Sequence, residues 1–129
     1  MNTVLLVDDD NAVLFAFRKL CAASGVSAET AESLKSALWL LSHGRYDVLI
    51  ADLSLTGSSG QEGFRIVREA KRFNPLIRAY IWTAYDEHIA RDKAAETDII
   101  DILIKPVKFE MILSIINDRS AADAFRAAR

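Results

Sequence analysis

One cysteine, Cys21, is all the chain has, so no internal disulfide can brace it. No apolar run approaches about 18 residues, which excludes an apolar membrane-spanning helix. The Met1-Asn2-Thr3 start lacks a basic region, an apolar stretch and a cleavage site, so no secretory signal is visible. With the lone thiol, that points to the cytoplasm. Charge of one sign is missing as well. Sixteen Lys and Arg stand against 18 Asp and Glu, a formal net charge of -2, which argues against a large basic surface for nucleic acid. There is no internal repeat and no linker, and the Gly57 to Gly63 stretch lacks the Gly-Lys-Ser/Thr ending of a nucleotide P-loop.

What is present suits one soluble domain. The 129 residues are 51% hydrophobic and 26% charged, enough for a single core and too apolar for a disordered chain. Thr3 to Val7 is apolar on both faces and reads as a buried parallel strand ending in Asp8-Asp9-Asp10. Val13, Leu14, Phe17, Leu20 and Cys21 then recur at helical spacing and close at Gly25, which makes Cys21 a core residue. Val26 to Glu29 is a weak strand. A helix over Leu34, Ala37, Leu38 and Leu41 stops at Gly44, with His43 solvated at its end.

Asp47 to Asp52 is the third strand, followed by a polar loop from Ser54 to Gly63 and a helix from about Phe64 to Phe73, which Asn74-Pro75 ends. Ile77 to Trp82 predicts a fourth strand, Asp86 to Glu96 a polar helix bearing an exposed His88, and Ile99 to Ile104 a fifth strand ending in Lys105-Pro106. The last helix carries Phe109, Ile112, Leu113 and Ile116 on its core face, with Met111 and Ile115 on roughly the opposite side. Five strands alternating with five helices, at spacings too long for hairpins, call for right-handed crossovers and a doubly wound parallel sheet with helices on both faces.

In such a sheet the carboxyl ends of all strands share one edge, where open α/β folds bind ligands. Asp8 and Asp9 arrive there from the first strand, Asp52 from the third, Thr83 from the fourth and Lys105 from the fifth. Crowded carboxylates repel unless a cation neutralises them, and hard oxygen ligands with an open shell suit Mg2+. A lysine and a threonine hydroxyl suit the oxygens of a transferred phosphoryl group. Taken singly, each aspartate after the first strand is better read as a helix N-cap.

Leu5-Leu6-Val7-Asp8-Asp9, Val48-Leu49-Ile50-Ala51-Asp52, Ile81-Trp82-Thr83-Ala84 and Ile104-Lys105-Pro106 together resemble the receiver domains of two-component response regulators, of the chemotaxis-regulator type. The resemblance covers essentially the whole chain: 1–119 as the receiver and 120–129 as a C-terminal helix extension or tail. It implies the flavodoxin-like (βα)5 fold with strand order 2-1-3-4-5. It implies that Asp52 accepts a phosphoryl group from a sensor histidine kinase or phosphotransfer protein and switches partner binding or self-association. Asp9, Asp52 and the backbone carbonyl of Ser54 would hold Mg2+, Asp8 would help through water, and Thr83 and Lys105 would contact the phosphoryl oxygens.

The sequence departs from that family in places. Gly57-Ser58-Ser59-Gly60-Gln61 looks like an insertion of about three residues, Ile102 stands where many members carry a switching aromatic, and the glycine often found just before that strand is missing. Ser54 and Tyr85 occupy positions that tune dephosphorylation. Met111 and Ile115 offer a surface for a homodimer or an output partner. No DNA-binding or catalytic output region follows Arg129, which leaves a stand-alone regulator and a receiver from a longer protein both open. Two alternatives remain at this point. Asp52-Leu53-Ser54-Leu55-Thr56 resembles the haloacid dehalogenase phosphatase signature with Ser54 in place of its second aspartate, and a non-switching receiver would serve as an interaction module.

Overall fold

A computed structural model of the chain describes residues 3–53, 55, 62–84, 99 and 101–117. Within them five strands, β1 (Thr3–Val7), β2 (Ser27–Ala31), β3 (Val48–Asp52), β4 (Arg78–Thr83) and β5 (Asp101–Ile104), form one parallel sheet in the order β2-β1-β3-β4-β5. Four helices are described: α1 (Asn11–Ala23), α2 (Leu34–His43), α3 (Glu62–Phe73) and α4 (Phe109–Asn117). This is the flavodoxin-like arrangement expected of the sequence. The helix expected over Asp86 to Glu96, with Tyr85 and His88, lies outside the described residues, as do Ser54, the Gly57 to Gln61 stretch and the alanine-rich tail.

Alternation along the strands divides the core into two layers. Leu5, Val7, Leu49, Ala51, Ala79, Ile81 and Ile102 face α2 and α3, meeting Ala37, Leu41, Phe64, Val67 and Ala70. Val4, Leu6, Val48, Ile50, Tyr80, Trp82 and Leu103 face α1 and α4, meeting Leu14, Phe17, Cys21, Ile112, Ile115 and Ile116. β3 and β4 are buried at every position, which is why they read as unbroken apolar runs. Each fully buried aliphatic side chain contributes about 1.5–3 kcal/mol. β2 lies at the edge with one face out; the ladder to β1, from Thr3 opposite Ser27 to Val7 opposite Ala31, holds it in spite of its polar Ser-Ala-Glu-Thr composition.

The last helix differs from its expected facing. Ile115 is 1% exposed, packed with Ile112 and Ile116, and so does not project with Met111, which is 52% exposed. At 100° per residue Ile115 falls only 60° from Ile112, inside the buried stripe. A buried Arg78 secures the same turn. Its Nη1 donates to the Ile115 carbonyl and its Nη2 to the Ile116 carbonyl, both at 3.0 Å, so one buried guanidinium joins the start of β4 to the main chain of α4.

Cys21 is fully buried, and that burial pushes its thiol from the ordinary 9.0 up to about 11. The folded chain therefore carries about 100-fold less thiolate than the unfolded chain near pH 8. An aromatic disulfide reagent should modify Cys21 at least ~100-fold more slowly in buffer than in denaturant. Comparable rates in the two would show that Cys21 does not sit in the core.

Candidate functional site

The pleat that sorts the core also builds the site. On the α1/α4 face every second residue is apolar up to the carboxyl edge, and there the next position in line is polar: Asp8 after Val4 and Leu6, Asp52 after Val48 and Ile50, Lys105 after Leu103. Asp8 is 1% exposed and Asp52 6% exposed, whereas Asp9 lies open to solvent. One ligand atom from each of Asp8, Asp9 and Asp52 lies within 4.8 Å of the others.

Lys105 closes the group. Its Nζ donates to Asp8 Oδ2 at 2.8 Å and to Asp52 Oδ2 at 3.2 Å. Burial alone would lower the pKa of this ammonium, but the hydrogen bond to Asp8 and the charges of Asp52 and Asp8 outweigh it and raise it. The lysine therefore stays charged through neutral pH. Because its folded pKa lies above the unfolded one, its contribution to stability is complete below the unfolded value and fades only as pH rises through the folded one.

The three aspartates after β1 divide their roles. Asp10 is the α1 N-cap, its Oδ1 accepting from the Ala12 and Val13 amides at 3.0 and 3.3 Å. Asp8 Oδ1 accepts the Asp10 amide at 2.9 Å, which aims its other oxygen at Lys105. Main-chain bonds fix the remaining strand ends: the Leu53 amide donates to the Trp82 carbonyl at 3.2 Å and the Lys105 amide to the Thr83 carbonyl at 2.8 Å. Thr83 itself is fully buried at the end of β4. Asp8, Asp9, Asp52 and Lys105 thus lie together, and Thr83 ends β4, its carbonyl bonded to the Lys105 amide. Ser54 lies outside the described residues. Ile102, at the position of the expected aromatic, is buried against α2 and α3.

Two neighbours went unnoticed in the sequence. Gly63, in the first turn of α3, donates its amide to the Leu53 carbonyl at 3.1 Å, and a Cβ there would lie 2.5 Å from the Asp52 carbonyl oxygen and 2.8 Å from Leu53 Cα. Trp82 lies under the lysine, with Lys105 Nζ 5.0 Å from its ring centroid. Pleat alternation could have found Trp82, since it is the register partner of Asp52. Nothing in the local sequence marks Gly63, whose constraint comes from Asp52 and Leu53 at the end of β3, eleven and ten residues away.

Among the described residues, three carboxylates and one ammonium leave a site with excess negative charge and an open side at Asp9. That arrangement can take a hard cation and can present Asp52 to an electrophile. A family model described as the response regulator receiver domain matches residues 4–117. A cyclic di-GMP phosphodiesterase of Thermotoga maritima is 33% identical over 110 residues, 85% of this chain and 28% of that protein. The chain spans about a quarter of the length of the curated relatives it matches. Among solved structures, a response regulator protein from Burkholderia pseudomallei with a phosphorylated aspartic acid, calcium ion and citrate superimposes with a TM-score of 0.84 at 20% identity, covering 99% of this chain and 72% of that one. The response regulator TrrA of Thermotoga maritima, in complex with Mg2+-BeF, gives 0.72 at 22% identity, covering 90% and 96%.

Proposed function

This chain belongs to the response regulator receiver domains, and from that premise we propose that Asp52 takes a phosphoryl group from the phosphohistidine of a sensor histidine kinase or a phosphotransfer protein. Receiver domains are signalling phosphoacceptors rather than classic enzymes, which removes the haloacid dehalogenase alternative. The observation that carries the reading is the convergence of Asp8, Asp9 and Asp52 within 4.8 Å, with Lys105 bonded to two of them. The receiver is assigned to 1–119, the tail to 120–129, and the setting to the cytoplasm.

A divalent cation fits this donor set. The ligands are all hard oxygens, one of them is exposed, and among the described residues one ammonium faces three carboxylates. Asp9, Asp52 and the Ser54 carbonyl would hold Mg2+ directly, with Asp8 acting through water. When bound, the ion offsets the charge of the carboxylates and of the incoming phosphoryl oxygens.

The chain's own residues do the rest. A carboxylate oxygen of Asp52 attacks the phosphorus in line. The O–P bond forms as the N–P bond of the phosphohistidine breaks, and the departing imidazole takes a proton from solvent. Lys105 Nζ, already paired with Asp52, is placed to follow the charge onto the phosphoryl oxygens, and the Thr83 hydroxyl donates to them. The acyl phosphate then carries about -1.5 to -2 of charge at the strand ends. That charge biases the packing around β4 and β5 and so changes partner binding or self-association, with a coupling of about 1–3 kcal/mol. Of the surface foreseen on the last helix, Met111 remains available to such a partner and Ile115 does not.

Acetyl phosphate with Mg2+ should add one phosphoryl group to the chain, seen by intact mass, and chelation with EDTA should slow that gain at least ~10-fold. Equal labelling in EDTA would overturn the metal's part. Failure to label with Mg2+, from acetyl phosphate and from a panel of histidine kinases alike, would overturn the function.

A further inference from the structure

Resting on the phosphoacceptor reading but reaching a residue it does not use, we infer that Trp82 is a positioning residue whose indole ring holds the Lys105 ammonium over the carboxylate cluster. Lys105 follows β5, yet its ammonium bonds Asp52 at the end of β3 and Asp8 just past the end of β1. β4 lies between, so the lysine stem must cross it. The side chain that β4 presents on that face at that level is Trp82, the register partner of Asp52 on one side and of Leu103 on the other. The ammonium sits 5.0 Å from the ring centroid, inside the range where the negative ring face attracts a cation.

The ring is well placed for this work. Trp82 is 6% exposed and belongs to the cluster packed under α1 and α4, so it is held firmly. Lys105 keeps 28% of its side chain exposed on a flexible four-carbon stem. Ion pairs alone tie such an ammonium to the oxygens that must also serve a cation and the phosphoryl group. The indole face holds it without occupying any carboxylate lone pair. An aliphatic residue at 82 would fill the space and exert no pull on the charge.

The test pairs Trp82→Phe, which keeps an aromatic face, with Trp82→Leu, which removes it. In the wild type the Lys105 ε-protons, assigned by comparison with Lys105→Arg, should be shifted upfield by the ring current. Trp82→Phe should keep most of that shift and Trp82→Leu should lose it. Labelling by acetyl phosphate at saturating Mg2+ should slow about 3- to 10-fold in Trp82→Leu and return to within about twofold of wild type in Trp82→Phe. Equal slowing in both variants, or wild-type labelling in Trp82→Leu once the ring-current shift is gone, would overturn the proposal. So would a wild-type lysine signal with no upfield shift. Because the lysine signal is read without any phosphodonor, failure of the phosphoacceptor reading would show separately, as a wild-type chain that never labels.

Discussion

Asp52→Asn should cut phosphoryl incorporation from acetyl phosphate by at least ~1,000-fold, to the background of the assay. Asparagine keeps the size and shape of the side chain, so β3 and its ladder to β4 stay intact, and the loss falls on chemistry alone. An amide oxygen carries no full negative charge, so it is a poor nucleophile for phosphorus and a weaker ligand for a cation. Lys105 would keep its 2.8 Å bond to Asp8 and lose the charge of its 3.2 Å partner. Thermal unfolding should therefore change little while labelling disappears, and that separation identifies a reacting group rather than a structural one. A variant that labels at the wild-type rate would move the acceptor to another residue, and peptide mapping of the label would say which.

The second large effect concerns a residue with no functional group. Gly63→Ala should lower stability by about 3 kcal/mol, roughly a 10–15 °C fall in melting temperature, and slow labelling with it. The new methyl would meet the Asp52 carbonyl oxygen at 2.5 Å and Leu53 Cα at 2.8 Å. Both are main-chain atoms and cannot rotate aside as a side-chain tip could. The start of α3 would have to retreat, breaking the Gly63 amide bond to the Leu53 carbonyl and disturbing the segment that carries Asp52 out of β3. Calorimetry checks the first effect and acetyl phosphate labelling the second. An alanine variant melting within 2 °C of wild type would mean that this contact is looser than its geometry implies.

Much of this was legible in the residues, for a physical reason. β1, β3 and β4 are buried on both faces, so they appear as apolar runs, and the first polar residue after each marks where the sheet meets solvent. That is how Asp8, Asp52 and Thr83 could be placed on one edge from sequence, with Lys105 following the shorter apolar run of β5. β2 was harder. Its alternating, half-exposed Ser27–Ala31 segment owes its place to the neighbouring β1, and sequence alone set it at Val26 to Glu29. Ile115 was misplaced against the helical period itself, which sets it 60° from Ile112 in the buried stripe, while its main-chain tie to Arg78, 37 residues away, has no local signal. The tightness at Gly63 and the ring beneath Lys105 are likewise meetings of distant segments. Local pattern carries the periodicity of an element but not the identity of whatever lies against it.

Arg78 has one more effect, on mechanics. It stands at the amino end of β4, and Thr83 stands at the other end, its carbonyl bonded to the Lys105 amide. Most elements rest on the sheet through apolar contacts, which allow small sliding. The last turn of α4 is instead bolted to β4 by two charge-assisted bonds of fixed direction. Strain entering β4 at its carboxyl end therefore has a stiff path along the strand into α4 at Ile115 and Ile116.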